Sequence, residues 1–218
     1  MSARDNVLGR IRGLLHRDAG DGAALAVRSR LAAHAISPRP AVTGDLVALF
    51  RAKALALSSS VVDVTDVTQV PKAVADYLSS HALPMSAVCW QALGALDWSA
   101  SGVQMEMRPA RENDLVGVTE VFCAIAETGT LMTLSGAQTP PVTSLLPETH
   151  IAVVRASQIV PCLEEAWQRL REMPDYPPRA VNFISGPSRT ADIEQTLTFG
   201  AHGPYRVHVI LVRDANHA

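Results

Sequence analysis

The chain has 218 residues, 48% of them apolar and only 5% aromatic, with a formal charge of −2. That is enough apolar material for a sizeable core built mainly from Ala, Val, Leu and Ile, and a chain of this size buries roughly 70% of its unfolded surface without a disulfide or metal staple. The near-neutral balance lacks the clustered basic face of a nucleic-acid binder. No run of 18 apolar residues predicts a membrane span. The first residues mix both charge signs without the continuous apolar core of a secretory signal, so cytoplasm is the expected compartment.

Val7, Leu8, Ile11, Leu14 and Leu15 fall on one stripe of a helix. The Gly-rich stretch 18–22 ends it. Leu25, Val27, Leu31 and Ile36 support a second helix, stopped by Pro38 and Pro40. Residues 1–43 therefore read as an N-terminal helical arm ahead of an α/β domain over 44–218.

From residue 44 helices alternate with short apolar runs. The pattern predicts a helix over 45–57, a strand over 60–64, a helix over 70–80 with Pro71 in its first turn, and a strand over 86–90. Residues 94–113 read as loop-rich. Residues 115–134 carry a long β-type pattern, read as two strands meeting at a turn at 127–130. A polar loop over 135–144 follows, then a strand over 150–154, a helix over 159–171, a strand over 180–184, a helix over 190–199 and a last strand over 205–212. This βαβα rhythm predicts a mostly parallel sheet.

Three stretches carry candidate chemistry. The first is Gly186-Pro187-Ser188-Arg189-Thr190-Ala191-Asp192, at the carboxyl end of a strand and the expected start of a helix. Free N–H groups there suit an anion, Ser188 and Thr190 can cap the helix or bond a ligand oxygen, and Arg189 has the fork to hold a carboxylate or phosphate. A capped helix with a surface arginine is the plainer reading of the same residues.

The second is Gly200 to Pro204, where His202 beside Gly203 is a candidate acid/base, or a turn histidine bonded to backbone. The expected helix between them would put Arg189 and His202 at opposite ends of the sheet. The third is Glu127-Thr128-Gly129-Thr130. A carboxylate at the end of an apolar strand must be paired, hydrogen-bonded or shifted in pKa. Glu127 is thus a candidate base or nucleophile, or a satisfied turn carboxylate.

Cys89, Cys123 and Cys162 are far apart and set in apolar surroundings, with no CxxC pair. They read as buried thiols, and no metal or iron–sulfur cluster is expected on this chain alone. Phosphate-loop, GxGxxG, HExxH and GxSxG motifs are absent. The histidines at 16, 34, 81, 208 and 217 lack ligand spacing and read as surface or strand residues.

The segments AIAETGTLMTLSG (124–136), SLLPETHIAVV (144–154) and GPSRTADIEQTLTFGAHGP (186–204) together resemble the LUD domain of the lactate utilisation protein C (LutC/YkgG) family. The resemblance implies a Rossmann-like layered sheet of the NagB/RpiA/CoA-transferase type. It also implies a non-redox subunit, with a small-anion site, of a multi-protein system oxidising L-lactate to pyruvate. The iron–sulfur clusters would then sit in partner subunits. The matching motif positions are Glu127, Thr128, Gly129, Thr130, Gly186, Ser188, Arg189, Thr190, Asp192, His202 and Gly203. Two alternatives stand beside it. One is a free-standing CoA-transferase-like or small-carboxylate or phosphate-binding enzyme with Glu127 as nucleophile. The other is a structural assembly protein docking through its N-terminal helix.

Overall fold

The computed structural model describes residues 2–15, 21–33, 41–190, 198–200 and 202–213. The chain divides into two compact units, Met1–Pro40 and Ala41–Ala218. The first contains helices α1 (Ala3–Leu14) and α2 (Asp21–Ala33). Ser2 caps α1: its hydroxyl accepts from Asp5 N–H, and the Asp5 carboxylate accepts from Ser2 N–H in return. Val7, Ile11, Leu14 and Leu15 on α1 are exposed, as are Leu25, Val27 and Leu31 on α2. Ile36, Pro38 and Pro40 lie outside the described residues.

The second unit is a layered α/β structure. Its central sheet has six strands in the order β1 (Ser60–Val64), β12 (Arg206–Val212), β7 (Thr149–Arg155), β4 (Val116–Glu120), β2 (Ser86–Cys89) and β3 (Gln104–Met107). Every neighbouring pair is parallel. All strand starts therefore lie along one edge and all strand ends along the other.

A parallel sheet is covered on both faces, and its inner strands read as continuous apolar runs. Alternation of side chains sorts those runs. Val118, Ile151, Val153, Ile210 and Val212 pack against Val70, Val74 and Leu78 of α4 (Val70–Ser80). Ala152, Val154, Val207, Val209 and Leu211 face the other way, against Phe50 and Ala54 of α3 (Leu46–Ala56) and against a second sheet. Helix α3 starts at Asp45, whose carboxylate accepts from the N–H groups of Val47 and Ala48 at 2.9 and 3.0 Å.

The second sheet runs β8 (Ile159–Val160), β5 (Cys123–Ile125), β6 (Thr130–Leu134), β9 (Val181–Ile184). Its outer face, with Cys123, Ile125, Met132 and Val160, is covered by Ala166 and Leu170 of α6 (Leu163–Arg171). A short helix α5 (Val142–Leu145) sits in the loop before β7.

Four sequence expectations differ from this fold. The β-type run 115–134 does contain a hairpin, β5–β6, around residues 126–129. Its first part is a separate strand: β4 belongs to the central sheet, and the chain crosses to the second sheet at Val121–Phe122. Both stretches are apolar, so periodicity carries no sign of the crossing. Strand β3 lies in the loop-rich stretch; its QMEM sequence is an exposed edge strand with little pattern. The helix expected from 159 starts at Leu163, because Ile159 and Val160 pair with Ala124 and Ile125.

The helix expected over 190–199 is not what its ends form. Arg189–Thr190 (β10) and Thr198–Phe199 (β11) pair antiparallel, with Arg189 opposite Phe199. Asp192 and the rest of 191–197 lie outside the described residues.

Candidate functional site at the strand starts

The three motif stretches meet at the amino ends of the central strands, around the last turn of α3. Gly129 and Gly186 make the meeting possible. Gly129 has φ +66°, and a Cβ on it would come within 2.7 Å of Ala54 N and Lys53 C. Gly186 has φ +78°, and its Cβ would come within 2.4 Å of the Leu57 carbonyl oxygen. Both positions need a left-handed backbone and no side chain. The two turns thereby close directly on α3 backbone.

The register of β6 and β9 sets Leu131 opposite Ile184, so Thr130 and Ser185 are the next pair along. Their hydroxyls lie 2.7 Å apart, and Thr128 Oγ1 lies 2.8 Å from Thr130 Oγ1. The result is a chain of three hydroxyls, Thr128, Thr130 and Ser185. Arg189 Nη2 donates to the Leu57 carbonyl at 2.9 Å and to Ser58 Oγ. A guanidinium at the end of a helix satisfies an orphan carbonyl and complements the negative end of the dipole.

The antiparallel β10–β11 pair also brings the ends of 188–204 together. Ser188 N–H donates to Pro204 O at 2.8 Å, Gly200 N–H to Ser188 O at 3.0 Å, and His202 N–H to Ser188 Oγ at 3.3 Å. His202 and Ser188 are thus neighbours. The separation expected from an intervening helix does not hold. His202 is exposed, and Gly203 lies beside Ser188 and the Leu145 carbonyl of α5. Of Thr190, only the backbone position in β10 is described.

Glu127 stands at the start of the same turn as Thr128. Its N–H donates to Pro161 O at 3.0 Å, which ties the turn to the segment after β8, and its side chain is half-buried. Arg189, Ser188, His202, Thr128, Thr130, Gly129, Gly186 and Gly203 share one edge of the fold. Ser58 and Ser185 belong with them, although sequence reading passed over both. A Ser-rich link between α3 and β1 was the signal for Ser58, and Ser185 stands directly before the Gly186 turn.

Two buried histidines lie nearby in the central sheet. His150 Nε2 is 2.8 Å from Thr119 Oγ1, and His208 Nδ1 is 2.8 Å from Ser60 Oγ. His208 also stacks on Tyr77 with ring centroids 4.1 Å apart. Desolvation by burial pulls both imidazoles down to about 4, so they are neutral at pH 7. His208 is therefore a core residue and not a surface one. All three cysteines are buried, and burial pushes each thiol up to about 11. Among the described residues no three His, Cys, Asp or Glu side chains are grouped to hold a metal ion. No described helix is long and apolar enough to cross a membrane.

The family model of the LUD domain matches residues 53–212. Lactate utilization protein C of an Exiguobacterium species is 38% identical over 120 residues, which cover 54% of this chain and 52% of that protein. Lactate utilization protein C 1 of Bacillus mycoides is 38% identical over 120 residues, covering 54% and 51%. Lactate utilization protein C of Bacillus subtilis is 36% identical over 121 residues, covering 54% and 50%. The chain spans about half the length of the curated relatives it matches. A crystal structure of a DUF162 family protein from Deinococcus radiodurans superposes with a TM-score of 0.61 at 24% identity, covering 79% of this chain and 99% of that one, and so shares the fold. With the family match running from α3 to the last strand, the chain belongs to the LUD domain family.

Proposed function

We propose that this chain takes part in lactate utilisation, as a non-redox member of a multi-protein system that oxidises L-lactate to pyruvate and keeps its iron–sulfur clusters in partner subunits. The observation that carries this reading is the LUD match over 53–212, with relatives named for lactate utilisation. The site assigned to it is the amino-end cluster. Thr128, at the exposed end of the Thr128–Thr130–Ser185 hydroxyl chain, supplies a hydroxyl donor, and the Arg189 guanidinium supplies the positive charge that favours a small carboxylate.

The test is genetic first. A strain lacking this chain is expected to lose growth on L-lactate while keeping growth on pyruvate, and to regain it with the wild-type gene. Growth on L-lactate undiminished by the deletion would overturn the role. Calorimetry with lactate and pyruvate then addresses the site. The Thr128→Val variant, which removes one exposed hydroxyl, is expected to bind more weakly by roughly tenfold or more, in line with one hydrogen bond to a charged group of about 1.5 kcal/mol or more. Equal affinity in both proteins would move the carboxylate elsewhere.

A further inference from the structure

The opposite edge of the central sheet holds a second feature, away from the three candidate stretches 127–130, 186–192 and 200–204. Strand order places β4 beside β2, and the chain leaves these two neighbours in opposite directions. From β2 it runs outward to β3, through Leu93 and Trp98 on the α4 face. From β4 it crosses to the second sheet, through Val121 and Ala124 on the other face, and then on to β7. That makes the boundary between β4 and β2 a topological switch point. In open parallel sheets, ligands bind in the crevice outside the strand ends at such a point.

A cavity of about 780 Å³ opens there, lined by Trp90 just after β2, by Glu120 to Phe122 at the end of β4, by Leu134 to Thr139, and by residues around Pro178. Its volume falls in the roughly 300–1,000 Å³ range of pockets for drug-sized ligands, far beyond the need of a three-carbon acid. The wall is anchored: Trp90 is buried, and its indole N–H donates to the Pro140 carbonyl at 3.1 Å, tying the loop after β6 to the end of β2.

The polar groups narrow the occupant. Glu120 stands at the strand end, partly exposed to the cavity, with the Arg155 guanidinium 4.0 Å from its carboxylate. An ionised carboxylate on the cavity wall accepts up to about four hydrogen bonds, which suits a ligand that brings N–H or O–H donors. Phe122, Leu134 and Pro178 supply apolar wall for a ring. Phosphate is disfavoured. The lining sets the carboxylates of Glu120 and Asp175 against the single guanidinium of Arg179, and the phosphate-binding glycine fingerprint at a helix start is absent from the sequence.

We propose that this cavity is a binding site for a nucleoside-like heteroaromatic compound, a ring with N–H or hydroxyl donors and no phosphate, held against Phe122 with its donors on Glu120. The site is separate from the amino-end cluster and does not depend on the lactate reading.

The experiment is equilibrium binding to the full chain, by calorimetry and by fluorescence, with adenosine and riboflavin as probes and AMP and FMN as their phosphate-bearing counterparts. Expected are saturable binding of at least one unphosphorylated probe, weaker binding of its phosphate ester, and no displacement by lactate. Glu120→Gln is expected to weaken the bound probe about tenfold or more, the size of one hydrogen bond to a charged group. Ala137→Trp, at an exposed loop position where folding is not at stake, is expected to abolish binding by filling the mouth. Failure of both probes to bind, tighter binding of the phosphate esters, or affinity unchanged in both variants would each overturn the proposal.

Discussion

The two edges of the central sheet are built on opposite principles. At the strand starts, turns from three distant parts of the chain close on the last turn of α3 and are tied together by hydrogen bonds within the protein. Arg189 donates to Leu57, Thr130 is bonded to Thr128 and Ser185, and Ser188 bonds to the segment 200–204. At the strand ends, between β4 and β2, the same sheet leaves a cavity with a carboxylate, Glu120, on its wall. Contiguous motifs make the first edge conspicuous in sequence. The second edge is open because two connections diverge, and none of the three candidate stretches marks it.

The largest expected effect comes from breaking the first edge. Gly186→Ala places a Cβ 2.4 Å from the Leu57 carbonyl in a left-handed backbone. It is expected to cost about 3 kcal/mol or more, from strain plus overpacking, read as a lowered denaturation midpoint. An unchanged midpoint would mean that the turn does not bear on α3.

Acidification is expected to come next. For His150 and His208 the folded pKa, about 4, lies below the unfolded value of about 6.5. Between these values the unfolded chain binds more protons, so stability rises with pH and is lost as pH falls from about 6.5 toward 4. By pH 5 the loss is about 2 kcal/mol per histidine. A midpoint that stays flat from pH 7 to pH 5 would contradict the buried, neutral state of both rings.

The smallest effect separates the two edges. Thr130→Val breaks the hydroxyl chain, and Trp90→Phe removes the indole hydrogen bond to Pro140. Each is expected to cost about 1 kcal/mol. Only Trp90→Phe is expected to speed hydrogen exchange in the loop around 135–141. Equal exchange in both variants would show that Trp90 does not hold that loop.

Much of the fold was legible from residues alone. Periodicity located α3, α4, β1, β2, β7, β9 and β12 within a residue or two, because each has an apolar pattern of one period. The hairpin at 127–130 was readable from Gly129. Illegible were the step from β4 to β5, the edge strand β3, and the paired ends of 188–204. In the last case Ser-Arg-Thr after Gly-Pro looks like a helix cap. Pairing of Arg189 with Phe199 is a contact across ten residues that no local pattern reports.

What the sequence determined by itself was the α/β class, the LUD resemblance and the motif residues of the amino-end cluster other than Ser58 and Ser185, since those depend on local pattern and on motifs contiguous in the chain. Only the tertiary structure decided that Ser188 and His202 are neighbours, that Gly129 and Gly186 are pressed on α3, and that Glu120 stands in a crevice. Each of these follows from strand order and register, which are set by long-range burial of apolar faces and leave no local trace in the residues they bring together.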